Sequence, residues 1–140
     1  MDKVMQLSIF AENKLGKMEK VTKVLSDSKI NILAISITST NGFGIIKFMV
    51  DKPELALEVL KKDGFTVSLT EVLAIEMDDQ PGGLHEVVSI LAQNNVNIEN
   101  ASVYVAESRK RAYLLVEVKD IDKAKKLFEN TSLKLYRREK

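Results

Sequence analysis

The 140-residue chain predicts an α+β fold of two tandem βαββαβ units, each with an antiparallel sheet and its helices on one face. Three observations predict it. The chain repeats itself at an offset of 66 residues. Within each copy, stretches of alternating apolar residues interchange with stretches of helical periodicity. Glycine marks the passages from strand to helix, and a hairpin signal joins the middle strands.

The repeat is legible residue by residue. From the pair Leu7/Leu73 to the pair Ile37/Val103, 8 of 31 positions are identical without a gap. Among them are Gly16 with Gly82, Val21 with Val87, Leu25 with Leu91, and Asn31 with Asn97. The hairpin is two residues longer in the second copy, after which the offset becomes 68. This period is too long for a solenoid repeat. It reads as a duplicated small domain, with a first unit over 1–71 and a second over 72–140.

In the first unit, "VMQLSIFAE" has the apolar alternation of a strand. A helix near Gly16–Ser28 follows, with Met18, Val21 and Leu25 on one face. "INILAISITST" is rich in isoleucine and suits a strand. Asn41-Gly42 is the strongest short hairpin signal, and "FGIIKFMV" returns as the third strand. A helix then runs from near Pro53 to Gly64, each at the end where it is favoured. "FTVSLTEV" closes the unit.

The second unit repeats this order. Strands are expected at Leu73–Met77, Ile98–Ala106, Arg111–Lys119 and Leu133–Tyr136, with helices near Gly82–Asn94 and Asp122–Asn130. Such a βαββαβ order is the ferredoxin-like split-βαβ arrangement. Right-handed crossovers place both helices on one face of a four-stranded sheet. The join "FTVSLTEVLAIEM" has no glycine or proline, so it is no flexible linker, and the units are expected in fixed relation.

Composition narrows the function. Lys+Arg number 21 and Asp+Glu 20, so no global field draws in nucleic acid or an anionic membrane. With no cysteine and one histidine, His85, neither thiolate chemistry nor a histidine-rich metal site is expected. No metal or other cofactor is foreseen. No apolar run approaches a membrane span, and no signal pattern opens the chain, so a cytoplasmic protein is the expectation.

The stretch "DDQPGGLHEVV", Asp78 to Val88, poses the functional question. Glycine is costly in a helix's first turn unless bare backbone has a use there. The first amides of a helix have no partner within it, and the helix dipole adds partial positive charge. Gly82 and Gly83 leave these donors unshielded, so a carboxylate or phosphate can approach. Pro81 fixes the entry and lacks an N–H that would otherwise be orphaned, and Asp79 can cap or tie the turn through its carboxylate. A tight, well-capped turn with no ligand explains the same residues.

Here the residues carry a resemblance. Asp79, Pro81, Gly82 and Leu84, followed by Asn97 and Ile98, resemble the core of an ACT domain, a small regulatory domain that binds amino acids. Asn13, Gly16, Met18, Asn31 and Ile32 repeat the pattern in the first copy. The likeness spans nearly the whole chain and is nearest to stand-alone tandem ACT proteins. It implies a regulatory protein, not an enzyme, that binds a free amino acid. By that resemblance Gly82, Gly83 and Leu84 would offer backbone amides to the ligand carboxylate, while Asp79 and Asn97 hold its amino group or main chain. Ile98 enters the strand beside Asn97. Asn13, Leu15, Gly16, Lys17, Met18, Asn31 and Ile32 would form the counterpart site. The first copy departs from the pattern: Leu15 replaces proline, Lys17 the second glycine and Asn13 the aspartate. The resemblance also implies pairing of ACT units, hence a homodimer, and an enzyme or regulator as a downstream partner.

Three other readings compete. One is a ferredoxin-like interaction module with no ligand. A second is a small hydrolase on the same scaffold, but no carboxylate pair or nucleophile–base set stands out. The third is RNA binding through a sheet face. Phe43, Phe48, Tyr104 and Tyr113 are available, yet "RKRAYLLVEV" lacks the required Gly-aromatic spacing.

Overall fold

A computed structural model describes residues 4–12, 14–107, 109–129 and 135. The elements run β1 (Val4–Glu12), α1 (Lys17–Asp27), β2 (Ile32–Thr40), β3 (Phe43–Val50), α2 (Pro53–Lys62), β4 (Thr66–Asp78), α3 (Gly83–Gln93), β5 (Asn100–Glu107), β6 (Arg111–Glu117) and α4 (Ile121–Glu129). The chain divides into two compact units, Met5–Thr70, and Glu71–Lys140 with Met1–Val4. As the glycine-free join predicts, Thr66–Asp78 is one strand of 13 residues, and the unit boundary falls within it.

In the first unit β3 lies between β2 and β1, antiparallel to both. Directly opposed residues share a face of the sheet. Leu7 opposes Phe48 and Ile9 opposes Ile46, so these four point the same way, joined by Val50. Val21 and Leu25 of α1 meet them there, together with Ala56 and Leu60 of α2, in one buried core. Both helices therefore cover one face. Each fully buried leucine or phenylalanine of this set contributes about 1.5–3 kcal/mol by leaving water.

The turns are built by backbone handedness. Asn41 and Gly42 both have positive φ, 52° and 81°, as a two-residue turn matched to strand twist requires. Helix α1 ends in a Schellman turn. The Ile30 amide donates to the Leu25 carbonyl at 2.9 Å and the Lys29 amide to Ser26 at 3.0 Å. The same pair of bonds recurs after α2, from Phe65 to Leu60 and from Gly64 to Lys61, and after α3, from Val96 to Leu91 and from Asn95 to Ala92. Only one of the three left-handed positions is glycine. Lys29 and Asn95 adopt φ near 57–58° with side chains present.

In the second unit β6 lies between β5 and β4. Leu73, Ile75, Met77, Leu114 and Val116 face Val87 and Leu91 of α3 and Ala124 and Phe128 of α4. The longer hairpin turns through Arg109 at φ 63°, with a register shift between Val105 and Glu107. Of the strand expected at Leu133–Tyr136, only Leu135 is among the described residues, and it bridges antiparallel to Ile75.

One expectation after α3 is corrected, and its start is refined. Pro81 leads into the turn. Gly82, left-handed at φ 90°, is the N-cap, and the helix begins one residue later. Ile98, expected to open the next strand, is not in it: β5 begins at Asn100. After the Schellman turn residues 97–99 run outside the ladder, and the Glu99 amide, donating to Glu117 at 2.9 Å, restores pairing before Asn100.

Gly83 has a packing reason to be glycine. A Cβ there would lie 2.1 Å from the Asp78 carbonyl oxygen, far inside contact distance. At Gly82 a side chain would meet nothing within 4 Å, but its φ disfavours one. Gly83→Ala should therefore cost about 3 kcal/mol, as overpacking against backbone does, and Gly82→Ala about 1–2 kcal/mol for left-handed strain. Urea unfolding of both variants checks this ordering; equal losses would refute it.

Candidate functional site

Each unit turns from its first strand into its first helix through a left-handed glycine, Gly16 at φ 87° and Gly82 at φ 90°. Neither helix has a side-chain cap. The first helical amide is used within the loop. Lys17 donates to the Lys14 carbonyl at 3.2 Å and Gly83 to the Gln80 carbonyl at 3.0 Å. This corrects the expectation that the Gly83 amide is offered outward. The next two amides, of Met18 and Glu19 in α1 and of Leu84 and His85 in α3, belong to the turn whose donors have no intrahelical acceptor. A carboxylate placed there would gain both those hydrogen bonds and the favourable end of the dipole.

Asp79 does not cap α3. Its Oδ2 accepts from the Arg109 amide at 2.6 Å, and its own amide donates to the Lys110 carbonyl at 3.2 Å. The loop is thus tied to the β5–β6 turn. Arg109 was missed by sequence reasoning, which weighed "RKRAYLLVEV" only for RNA binding. Arg111 lies beside Glu76 at 3.9 Å on the adjoining sheet residues.

The first unit's loop differs in kind. Leu15 is fully exposed. The Lys17 ammonium stands over the Phe65 ring, 5.8 Å from its centroid. This cation–π placement holds the charge at the helix start. Asn13 lies outside the described residues. Lys14 Nζ pairs with Glu12 at 2.8 Å. That hydrogen bond and charge hold the Glu12 carboxyl below its usual 4.5, with a smaller pull from Lys17. In turn Glu12 raises Lys14 above 10.5.

The asparagines stand elsewhere. Asn31 and Asn97 follow the C-terminal ends of α1 and α3, each 11 residues long. At 1.5 Å per residue that is about 16 Å from the glycine loop of the same unit. The register agrees. Glu12, Phe43 and Thr40 lie level at the loop end, whereas Ile32 and Val50 pair at the other. Asn31 is pinned there: its amide donates to Asp51 Oδ1 at 3.0 Å, and its carbonyl accepts from the Asp51 amide at 3.1 Å. The Asn31 and Asn97 residues are exposed. Thus Asp79, Gly82, Gly83 and Leu84 gather at one end of the second unit, and Asn97 and Ile98 at the other. Leu15, Gly16, Lys17 and Met18 gather likewise in the first, apart from Asn31 and Ile32.

Among the described residues no group of three or more acidic or histidine side chains is placed to hold a metal ion. Nor is any helix there long and apolar enough to cross a membrane.

Because the folded Glu12 pKa is depressed, its pairing with Lys14 favours the folded loop above the unfolded pKa, and that gain is lost as pH falls through the folded value. Lys14→Ala should move the Glu12 titration midpoint up toward 4.5, read by carboxyl NMR. An unmoved midpoint would show that Lys14 is not the cause.

A family model described as an ACT domain pair matches residues 2–139. No curated protein matches the chain. Among solved structures, protein BT0572 from Bacteroides thetaiotaomicron is 32% identical with a TM-score of 0.87, over 96% of this chain and 92% of that one. The ligand-free regulatory subunit of aspartate kinase from Thermus thermophilus is 18% identical with a TM-score of 0.66, over 91% and 89%. The regulatory subunit of aspartate kinase from Thermus flavus is 16% identical with a TM-score of 0.61, over 91% and 90%. The two aspartate kinase subunits share the fold at low identity. Two βαββαβ units, paired glycine loops and a family match over nearly every residue lead to one conclusion: this chain belongs to the ACT domain family, as an ACT domain pair.

Proposed function

We propose that the protein is a regulatory sensor that binds a free amino acid at the strand-to-helix loops of paired ACT units. The observation that carries the reading is the uncapped helix start reached through a left-handed glycine, present in both copies. It leaves the second and third helical amides as the natural partners of an α-carboxylate. Kinship of fold with regulatory subunits of aspartate kinase supports the same reading. The chain then acts through a partner enzyme or regulator and performs no chemistry itself, in keeping with regulatory ACT domains and a cytoplasmic setting.

The separation of loop and asparagine within a unit adds a condition. If Asn31 or Asn97 holds the amino group, loop and asparagine must come from different units. Pairing of ACT units is then part of the site. The end strands favour self-association. Ile35 and Ile37 on β2, and Val103 and Val105 on β5, are exposed β-branched residues on strands with one neighbour each among the described residues. Such edges are usually blunted by charge or covered.

Calorimetry against the twenty amino acids should show saturable heat with at least one of them, and silence with all would remove the reading. Leu84→Glu, at an exposed position, sets a carboxylate beside the first-turn amides of α3 where it repels the ligand's own, and should weaken binding about tenfold or more. Asn97→Ala should weaken it similarly if units share the ligand. Sedimentation giving only a 15.7 kDa species would remove the homodimer.

A further inference from the structure

The two sheets differ on the face turned away from their helices. In the first unit Phe10, Ile45 and Thr38 lie level across β1, β3 and β2. At the same level of the second unit stand Glu76, Tyr113 and Tyr104. There the Tyr104 ring stacks on Tyr113, centroids 6.3 Å apart and planes 16° from parallel. Tyr113 is buried, and Arg111 stands over its ring at 5.9 Å. At this level the second unit therefore carries a stacked aromatic pair of its own.

The first unit has no ring at the Tyr104 position. Thr38 stands there instead, over an Ile45 floor. The outcome is a groove of about 290 Å³ lined by Phe10, Ala11, Thr38, Thr40, Phe43, Gly44 and Ile45. Phe10 and Phe43 wall it and are 51% and 65% exposed. Leaving two phenylalanines wet on one face forgoes the gain that burying them would bring. An apolar ring laid between them would recover part of that gain.

We infer that the first unit binds one small, uncharged aromatic molecule in this groove, with its ring where the second unit places the ring of Tyr104. No lining residue is charged, so a charged ligand would lose its hydration without compensation. The Thr38 and Thr40 hydroxyls are the polar groups of the lining side chains, and either can accept from an N–H or O–H on the ring. Indole and phenol have this chemistry. Neither carries an α-carboxylate or an amino group, so this site and the amino-acid site are separate. The groove lies wholly within one unit and needs no pairing.

Indole is the probe, because the chain has no tryptophan and indole can be excited at wavelengths its three tyrosines hardly absorb. Titration of the full chain should show saturable binding at one site. Amide shifts in an NMR spectrum should centre on Thr38, Phe43 and Ile45. Thr38→Tyr rebuilds the second unit's stack and should weaken binding at least about tenfold. Phe10→Glu, copying Glu76 at an exposed position, should do the same and decides the matter if Thr38→Tyr fails to fold. Thr38→Val keeps the shape and should retain most of the affinity. Absence of saturable binding overturns the proposal. So does unchanged affinity in a folded Thr38→Tyr or Phe10→Glu variant, or shifts centred on residues 82–85. Loss of a dimer in Thr38→Tyr without any indole binding would assign the groove to a protein partner and overturn it equally. The amino-acid reading survives each of these results, since its own test uses a different ligand at a different place.

Discussion

The geometry of each unit's loop end depends on a single backbone reversal, the left-handed residue between the first strand and the first helix. An L-residue with a side chain resists that conformation, so glycine stands there in both copies. The reversal sets where the helix begins and therefore which amides lack acceptors. It also sets how near the strand's last carbonyls come to the helix. In the second unit the approach at Asp78 is so close that the next residue must be glycine too. In the first unit Lys17 occupies the equivalent position, and its ammonium rests over Phe65. One turn geometry thus supports two chemical surfaces.

Much of the fold was legible because its determinants are local. Period-two runs, apolar stripes such as Val87–Leu91, and the Asn-Gly turn announce themselves in short windows. The glycine-free join between the copies read correctly as a strand. The C-terminal caps were less legible. Lys29 and Asn95 occupy left-handed positions that the eye assigns to glycine, and only the hydrogen bonds closing each helix reveal them. Gly83 was read as bareness kept for a ligand, whereas its nearest constraint is a carbonyl five residues earlier. Such an approach is three-dimensional and leaves no mark in composition.

The candidate site was legible as a set of residues but not as an arrangement. Gly82 and Asn97 stand at opposite ends of α3, a separation set by the helix's length and not by any one residue. Arg109 and Asp51 were invisible for a different reason. Each binds through backbone or through a carboxylate brought from a distant part of the chain. Phe65 looked like ordinary strand material until Lys17 was found above it. The aromatic divergence of the two sheet faces needed the register of both hairpins, since only level positions can be compared.

Duplication is often thought to free both copies equally. Gly83 argues otherwise. Any side chain at that position must displace the end of a central strand, so nearly all single substitutions there are closed to the second unit. Position 17 already carries a long side chain in the first unit, and its neighbours accommodate one. A single change of side chain at this place is therefore open to the first loop and costly to the second.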